Sequence, residues 1–227
     1  MKDNKNVKIK VKIELLSPVQ LASGKANVVI DSDAVHDEYG VPYFPAKRFK
    51  GLLYESAVEI TEMGELCGNE KIISKEAIEE LFGKNENSNA EMFIHDFVLP
   101  RYDEMRKAWA YLNGQFPGII DKDSVLKEYT SIRYQTKIDE KTGIAAKNSL
   151  RNMRVVNEGL AFEGTIELSG SIEDNHIQAV ILALGNLKYA GSKRNRGFGQ
   201  IKCTVSEIDD NNEIPEKYRL DKILENI

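Results

Sequence analysis

The sequence has few of the residues that would make its chemistry obvious. It holds two cysteines, Cys67 and Cys203, far apart and with no CxxC spacing, so neither a disulfide framework nor a zinc site is indicated. Both read as small buried hydrophobes. The three histidines, His36, His95 and His176, are scattered, with no HExxH or paired-ligand spacing. There is one tryptophan and no apolar run near eighteen residues. The start alternates charged and aliphatic residues and builds no signal-peptide core, so a cytoplasmic protein is expected.

What is present is an ordinary globular composition over 227 residues, 41% hydrophobic and 30% charged, with a formal net charge of -5. An even spread of that charge would argue against a nucleic-acid partner. The charge is not evenly spread. Residues 39–54, 141–157 and 175–206 together carry twelve of the 31 Lys and Arg and none of the 36 acids. If the fold gathers these windows, it presents a basic groove on an acidic body. The alternative is three ordinary solvated faces.

Periodicity sets out the elements. Residues 7–16 alternate with period two, as in a strand with one buried face. Pro45 precedes a helix expected over about 47–63, with Phe49, Leu52, Leu53, Ala57 and Ile60 on one side. Ser74 caps a short helix ending near Gly83. A second strand is expected over 91–99, and residues 100–129 show no clear period and read as an irregular insertion. A long hairpin over 132–156 has a polar, basic tip turning at 139–143. A strand over 160–169 leads to a helix capped by Asp174 or Asn175, and a strand over 198–208 is followed by a polar, acidic tail. The order strand, helix, strand, hairpin insertion, strand, helix, strand is that of a split βαβ sheet of ferredoxin-like type, an α+β fold. One domain over 1–227 is expected.

Two segments carry chemistry. In Gly191-Ser-Lys-Arg-Asn-Arg-Gly-Phe-Gly199, three glycines allow close backbone approach, while Lys193, Arg194 and Arg196 suit phosphates. It is neither a Walker A loop nor a dinucleotide fingerprint. Its end partly matches the RNA-recognition-motif octamer, but Gln200 and Cys203 stand where stacking aromatics belong, so a plain RNA-recognition motif is disfavoured. The second segment, Pro42 to Gly51, places Lys47, Arg48 and Lys50 at a helix start whose free N–H groups favour an anion.

Together these segments resemble the RAMP superfamily, the repeat-associated RNA-binding proteins of CRISPR systems. That family pairs a Pro-(Gly/Ala)-x-x-(aliphatic/aromatic)-(Lys/Arg)-Gly helix start with a glycine-rich Arg-Gly-(Phe/Tyr)-Gly loop after the last helix. The similarity extends to the backbone subunits of type III complexes: Ile30-Asp-Ser-Asp-Ala-Val-His-Asp37 lies just before the helix start, Glu80-Leu-Phe-Gly83 matches a Leu-Phe-Gly element, and residues 138–146 match a thumb hairpin. The chain departs from the usual Pro-Gly-Ser-Ser-Leu-Lys-Gly in having Pro45-Ala-Lys-Arg-Phe-Lys-Gly51, which marks a divergent subtype.

The resemblance implies a ferredoxin-like (RRM-like) βαββαβ palm over about 7–99 and 160–208, with an insertion and a thumb hairpin over about 100–157. It implies guide RNA, complementary target RNA, further copies of the chain and other CRISPR effector subunits as partners, with no membrane. It also implies target cleavage by Asp31 with a divalent metal, Mg²⁺ being suited to a loop carboxylate. Asp33 and Asp37 are reserve ligands or turn formers. The expected RNA contacts are Lys47, Arg48, Lys50, Lys147, Arg151, Lys193, Arg194, Arg196, Gly197, Phe198 and Gly199. Two other readings stay open. One is a RAMP subunit that only binds guide RNA, and the other is a domain whose basic loops hold a small phosphorylated ligand.

Overall fold

The alternation at the start of the chain forms strand β1 (Lys5–Leu15). Val7, Ile9, Val11, Ile13 and Leu15 are all buried, and the lysines between them face outward. Burying each aliphatic side chain contributes roughly 2 kcal/mol, so this strand anchors the core. The structure is a computed structural model and describes residues 5–25, 30–68, 73–83, 90–118, 121–209 and 214–225.

β1 pairs antiparallel with β5 (Ala161–Gly170) on one side and β6 (Ile201–Ile208) on the other, and β2 (Ala90–Ile94) pairs antiparallel with β5. The sheet order is β2-β5-β1-β6. Its apolar face is covered by α1 (Ala46–Leu66), α2 (Lys75–Leu81) and α5 (Asp174–Asn186). α1 and α5 approach closely enough for Ser56 Oγ to donate to Ala183 O at 2.8 Å. The entry to α1 is fixed by aromatics: Phe49 lies 4.4 Å from Phe97 and 5.8 Å from Phe44 between ring centres. A Cβ on Gly164 of β5 would lie 2.6 Å from the Phe97 ring, which explains a glycine in mid-strand.

α2 starts as expected, with Ser74 Oγ accepting from Ala77 N. α5 differs, because its N-cap is Glu173 and not Asp174 or Asn175. Asp174 is engaged elsewhere, accepting from Lys217 at 2.7 Å and from the Tyr218 hydroxyl at 2.5 Å. The tail is therefore not simply polar. A short 3-10 turn at Glu216–Tyr218 and helix α6 (Leu220–Glu225) bury Tyr218 and Ile223.

The stretch read as irregular holds two helices, α3 (Tyr102–Gln115) and α4 (Lys122–Tyr129). α3 buries no residue fully, and its N-cap is Arg101 in the left-handed region, so it lacks both a strong apolar face and a capping signal. Then come β3 (Thr130–Gln135) and β4 (Arg151–Val156), a separate two-stranded hairpin whose ladder is shorter than the expected 132–156.

Candidate nucleic-acid interface

The chain leaving β1 brings the site together. Val19 bridges Val156 of the hairpin, and Gln20 bridges Ser192 of the glycine loop. The loop itself is folded by close approach. A Cβ on Gly191 would stand 2.6 Å from Gln20 O, and one on Gly199 would stand 2.2 Å from Ala190 O, with φ positive at both. Lys193 also adopts a left-handed φ of 64°, and Arg194–Arg196 form one 3-10 turn.

The first and third basic windows meet across a cleft of about 410 Å³ lined by Lys47, Arg48, Gly51, Gly191 and Arg194. Lys47 is exposed, and the Arg48 guanidinium donates to Ala22 O. Lys50 turns away, its ammonium donating to Met92 O on β2 at 3.3 Å. The helix start is less open than the sequence suggests: Pro45 supplies no side-chain cap, but Asp96 Oδ1 accepts from Ala46 N at 2.7 Å. Nor is the cleft free of acid. Glu55, one residue beyond the first window, lies 3.7 Å from Arg194.

The second window joins through the hairpin. Lys193 Nζ donates to Gln135 Oε1 at 2.9 Å, and Gln135 is the cross-strand partner of Arg151. Directly opposed residues share a face, and residues two apart on a strand do as well. Exposed Arg133 and Arg151 therefore flank Gln135, beside Lys193. Tyr134, 65% exposed, stands on the other face opposite Asn152. Arg133, Tyr134 and Gln135 were not singled out in the sequence, because single polar residues on a short strand carry no motif. Lys147, Arg196 and Gly197 are exposed, and Phe198 is half-buried next to buried Gly199.

The hairpin tip folds on itself. Asp139 Oδ1 accepts from the backbone N–H groups of Lys141 and Thr142 and from the Thr142 hydroxyl, which hold its carboxyl below the usual carboxylate range. Ile138, Ile144 and Leu150 are all more than half exposed there, a feature the polar reading of the tip did not anticipate.

Asp31 is exposed and docked on the hairpin. Its N–H donates to Asn152 Oδ1 at 2.8 Å, and its Oδ2 accepts from Asn152 N at 2.8 Å. Ser32 bridges Met153 in parallel. Asp33 is held by Arg154, Nε to Oδ1 at 2.8 Å, in a nearly buried ion pair. Asp37 closes a turn, with Oδ1 accepting from Tyr39 N and Val41 N and Oδ2 from the Tyr102 hydroxyl. Burial and that bond to Asp37 push the Tyr102 hydroxyl up to about 12. Both reserve carboxylates thus have structural partners, and Asp37 makes the turn foreseen as its alternative role. Among the described residues no group of three His, Cys, Asp or Glu side chains could hold a metal. The fit to Mg²⁺ reduces to one hard oxygen, Asp31 Oδ1, which takes no hydrogen bond among the described residues.

The open face of the main sheet is a poor competitor for RNA. Lys8 and Lys10 pair across strands with Glu167 and Glu207, and Lys12 with Glu14 on its own strand, so its charge is compensated. Among the described residues its large exposed aromatic is Phe93, packed against the His95 ring at 4.8 Å between ring centres, where an RNA-recognition motif needs two or three rings free to stack on bases. Among the described residues no helix is long and apolar enough to cross a membrane.

A mixed α/β chain with an antiparallel sheet, a basic glycine loop and a side hairpin defines a class, and comparison gives the family. The RAMP superfamily model matches residues 12–202, and the chain belongs to that superfamily. Its fold is similar to that of a chain in the cryo-EM structure of the Type III-B Cmr-beta bound to cognate target RNA, with a TM-score of 0.58 and 14% identity over 86% of this chain and 96% of that one. It is likewise similar to a chain of the Type III-B Cmr-beta cryo-EM structure in the apo state, with a TM-score of 0.57 and 14% identity over 88% and 97%. Among curated proteins, no sequence matches this chain.

Proposed function

We propose that the chain is a guide-RNA-binding backbone subunit of a type III CRISPR interference complex and cleaves bound target RNA. Its partners are then guide and target RNA, further copies of itself and other effector subunits. The strand order β2-β5-β1-β6 supports reading the main sheet as a ferredoxin-like palm, with β3 and β4 as the base of its thumb. One observation carries the reading: Lys193 meets Gln135 opposite Arg151, and the next residue, Asn152, holds Asp31. Basic side chains suited to phosphate and an exposed carboxylate are thus held at adjacent positions, Arg151 and Asn152, of one strand of the hairpin.

Chemically, Lys193, Arg133 and Arg151 bind and orient the RNA backbone. Asp31 Oδ1, with RNA oxygens and water, would hold a divalent cation such as Mg²⁺, which supplies positive charge against the reacting phosphate. The 2'-hydroxyl of the scissile nucleotide attacks its own phosphorus in line with the departing 5'-oxygen. Its proton passes to solvent, and the 5'-oxygen leaves as a hydroxyl, giving a 2',3'-cyclic phosphate. Asp31→Asn should then abolish cleavage while leaving guide and target affinity unchanged, and EDTA should stop the reaction.

The lack of a three-residue metal cluster among the described residues favours a second reading, a RAMP subunit that only binds guide RNA. Full cleavage by Asp31→Asn would promote it. Purification of the chain without bound short RNA would instead favour a small phosphorylated ligand.

A further inference from the structure

Asn152 has no recognisable signal in the sequence, yet it makes both hydrogen bonds that hold Asp31 in place. The two bonds are reciprocal: Asp31 N–H to Asn152 Oδ1, and Asn152 N–H to Asp31 Oδ2, each 2.8 Å. An exposed aspartate otherwise samples several rotamers. Here one carboxylate oxygen is tied down, and Oδ1 takes no hydrogen bond among the described residues. The clamp is extended by the parallel bridge of Ser32 with Met153, by Arg154 N donating to Ser32 O at 2.9 Å, and by the Arg154–Asp33 ion pair. Residues 31–33 therefore lie alongside β4, joined to it by one isolated bridge and the bonds on either side, and Asp31 is carried by the hairpin.

We propose that Asn152 is a positioning residue, which fixes the Asp31 carboxylate on the hairpin so that Oδ1 faces the RNA the hairpin engages. This rests on the reading of Asp31 as the cleavage carboxylate. The side-chain amide is the part that matters, because the backbone N–H of residue 152 persists whatever the side chain. Removing the acceptor frees Asp31 N–H and lets the loop drift, and a displacement of about 1 Å at a reacting group can slow a reaction by roughly a hundredfold.

The test uses the complex assembled with guide RNA. Asn152→Ala should lower the single-turnover cleavage rate at saturating target by about tenfold to a hundredfold, with target affinity and melting temperature unchanged. Hydrogen exchange at the Asp31 amide should accelerate. Asn152→Asp keeps an acceptor, so it should restore amide protection and much of the rate. Wild-type cleavage by Asn152→Ala beside an inactive Asp31→Asn would overturn the positioning role and leave the cleavage reading standing. Full cleavage by Asp31→Asn would overturn the cleavage reading itself. Unaltered Asp31 amide exchange in Asn152→Ala would overturn the clamp independently of activity.

Discussion

Arg154 Nε donates to Asp33 Oδ1 at 2.8 Å, with the arginine side chain 6% exposed and the aspartate 15%. Arg154 also donates to Thr130 Oγ1 at 3.2 Å, so it ties the 31–33 segment to both strands of the hairpin. Breaking one partner of such a pair leaves a buried charge uncompensated. Asp33→Asn should therefore destabilise the fold by about 3 kcal/mol, the low end of the range because Asp33 keeps some solvent. Arg154→Leu combined with Asp33→Asn should recover part of that loss in urea unfolding. If Asp33→Asn instead left stability intact and weakened metal dependence, Asp33 would be a ligand after all.

The glycines of the basic loop are not equivalent. A Cβ on Gly199 would collide with Ala190 O, whereas one on Gly197 meets nothing within 4 Å. Gly197→Ala therefore faces only the left-handed backbone penalty, about 1 to 2 kcal/mol. Gly199→Ala should be distinctly worse in thermal unfolding and should lower RNA affinity by displacing Lys193 and Arg194. Equal effects would mean that backbone conformation alone, and not close approach to Ala190, selects glycine here.

How much could be read beforehand depended on how local each cause was. β1 and β5 announced themselves because alternation is printed residue by residue, and α1 because Pro45 and an apolar stripe follow one another. α3 was missed because Tyr102, Met105 and Trp109 are only half-buried and Arg101 gives no cap. The three windows were legible as charge, yet their meeting depends on bridges such as Gln20 with Ser192, which no window contains. Asp31 was singled out by resemblance alone, and the residue it docks on, Asn152, is 121 residues away in an unremarkable strand. Glu55 was passed over because the acid-free window stops one residue short of it. The latch from Tyr218 to Asp174 turned an apparently polar tail into part of the core.

The hairpin tip makes its hydrogen bonds within itself and leaves its aliphatics in solvent. Replacing residues 137–148 by a two-residue turn should therefore leave the melting temperature nearly unchanged while impairing target cleavage or its spacing. Loss of folding would show that the tip is a core element. The tip also has a pH signature. Because the folded pKa of Asp139 is lowered from 3.8 by the Thr142 and Lys141 N–H groups, its turn is fully formed above that value. Its order should fail only as the pH drops through the lowered value. Amide exchange at Lys141 and Thr142 should report this, and Asp139→Ala should remove the dependence.

RNA binding should be electrostatic and centred on the gathered windows, since the rest of the chain is acidic and would repel phosphate. On single-stranded RNA the logarithm of the affinity falls with the logarithm of salt by about 0.7 per phosphate neutralised. Replacing Lys193, Arg194 and Arg196 together by Ala should therefore reduce that slope by up to about 2. Arg194 should contribute least of the three, because Glu55 already stands 3.7 Å from it. Lys50→Ala serves as the internal control: its ammonium is directed at Met92 O on β2, outside the cleft, so the slope should hardly move. Filter binding or fluorescence anisotropy across a KCl series reads both. An unchanged slope in the triple variant would remove the glycine loop from the RNA path, and a Lys50 effect as large as that of Lys193 would move the path to the β2 edge.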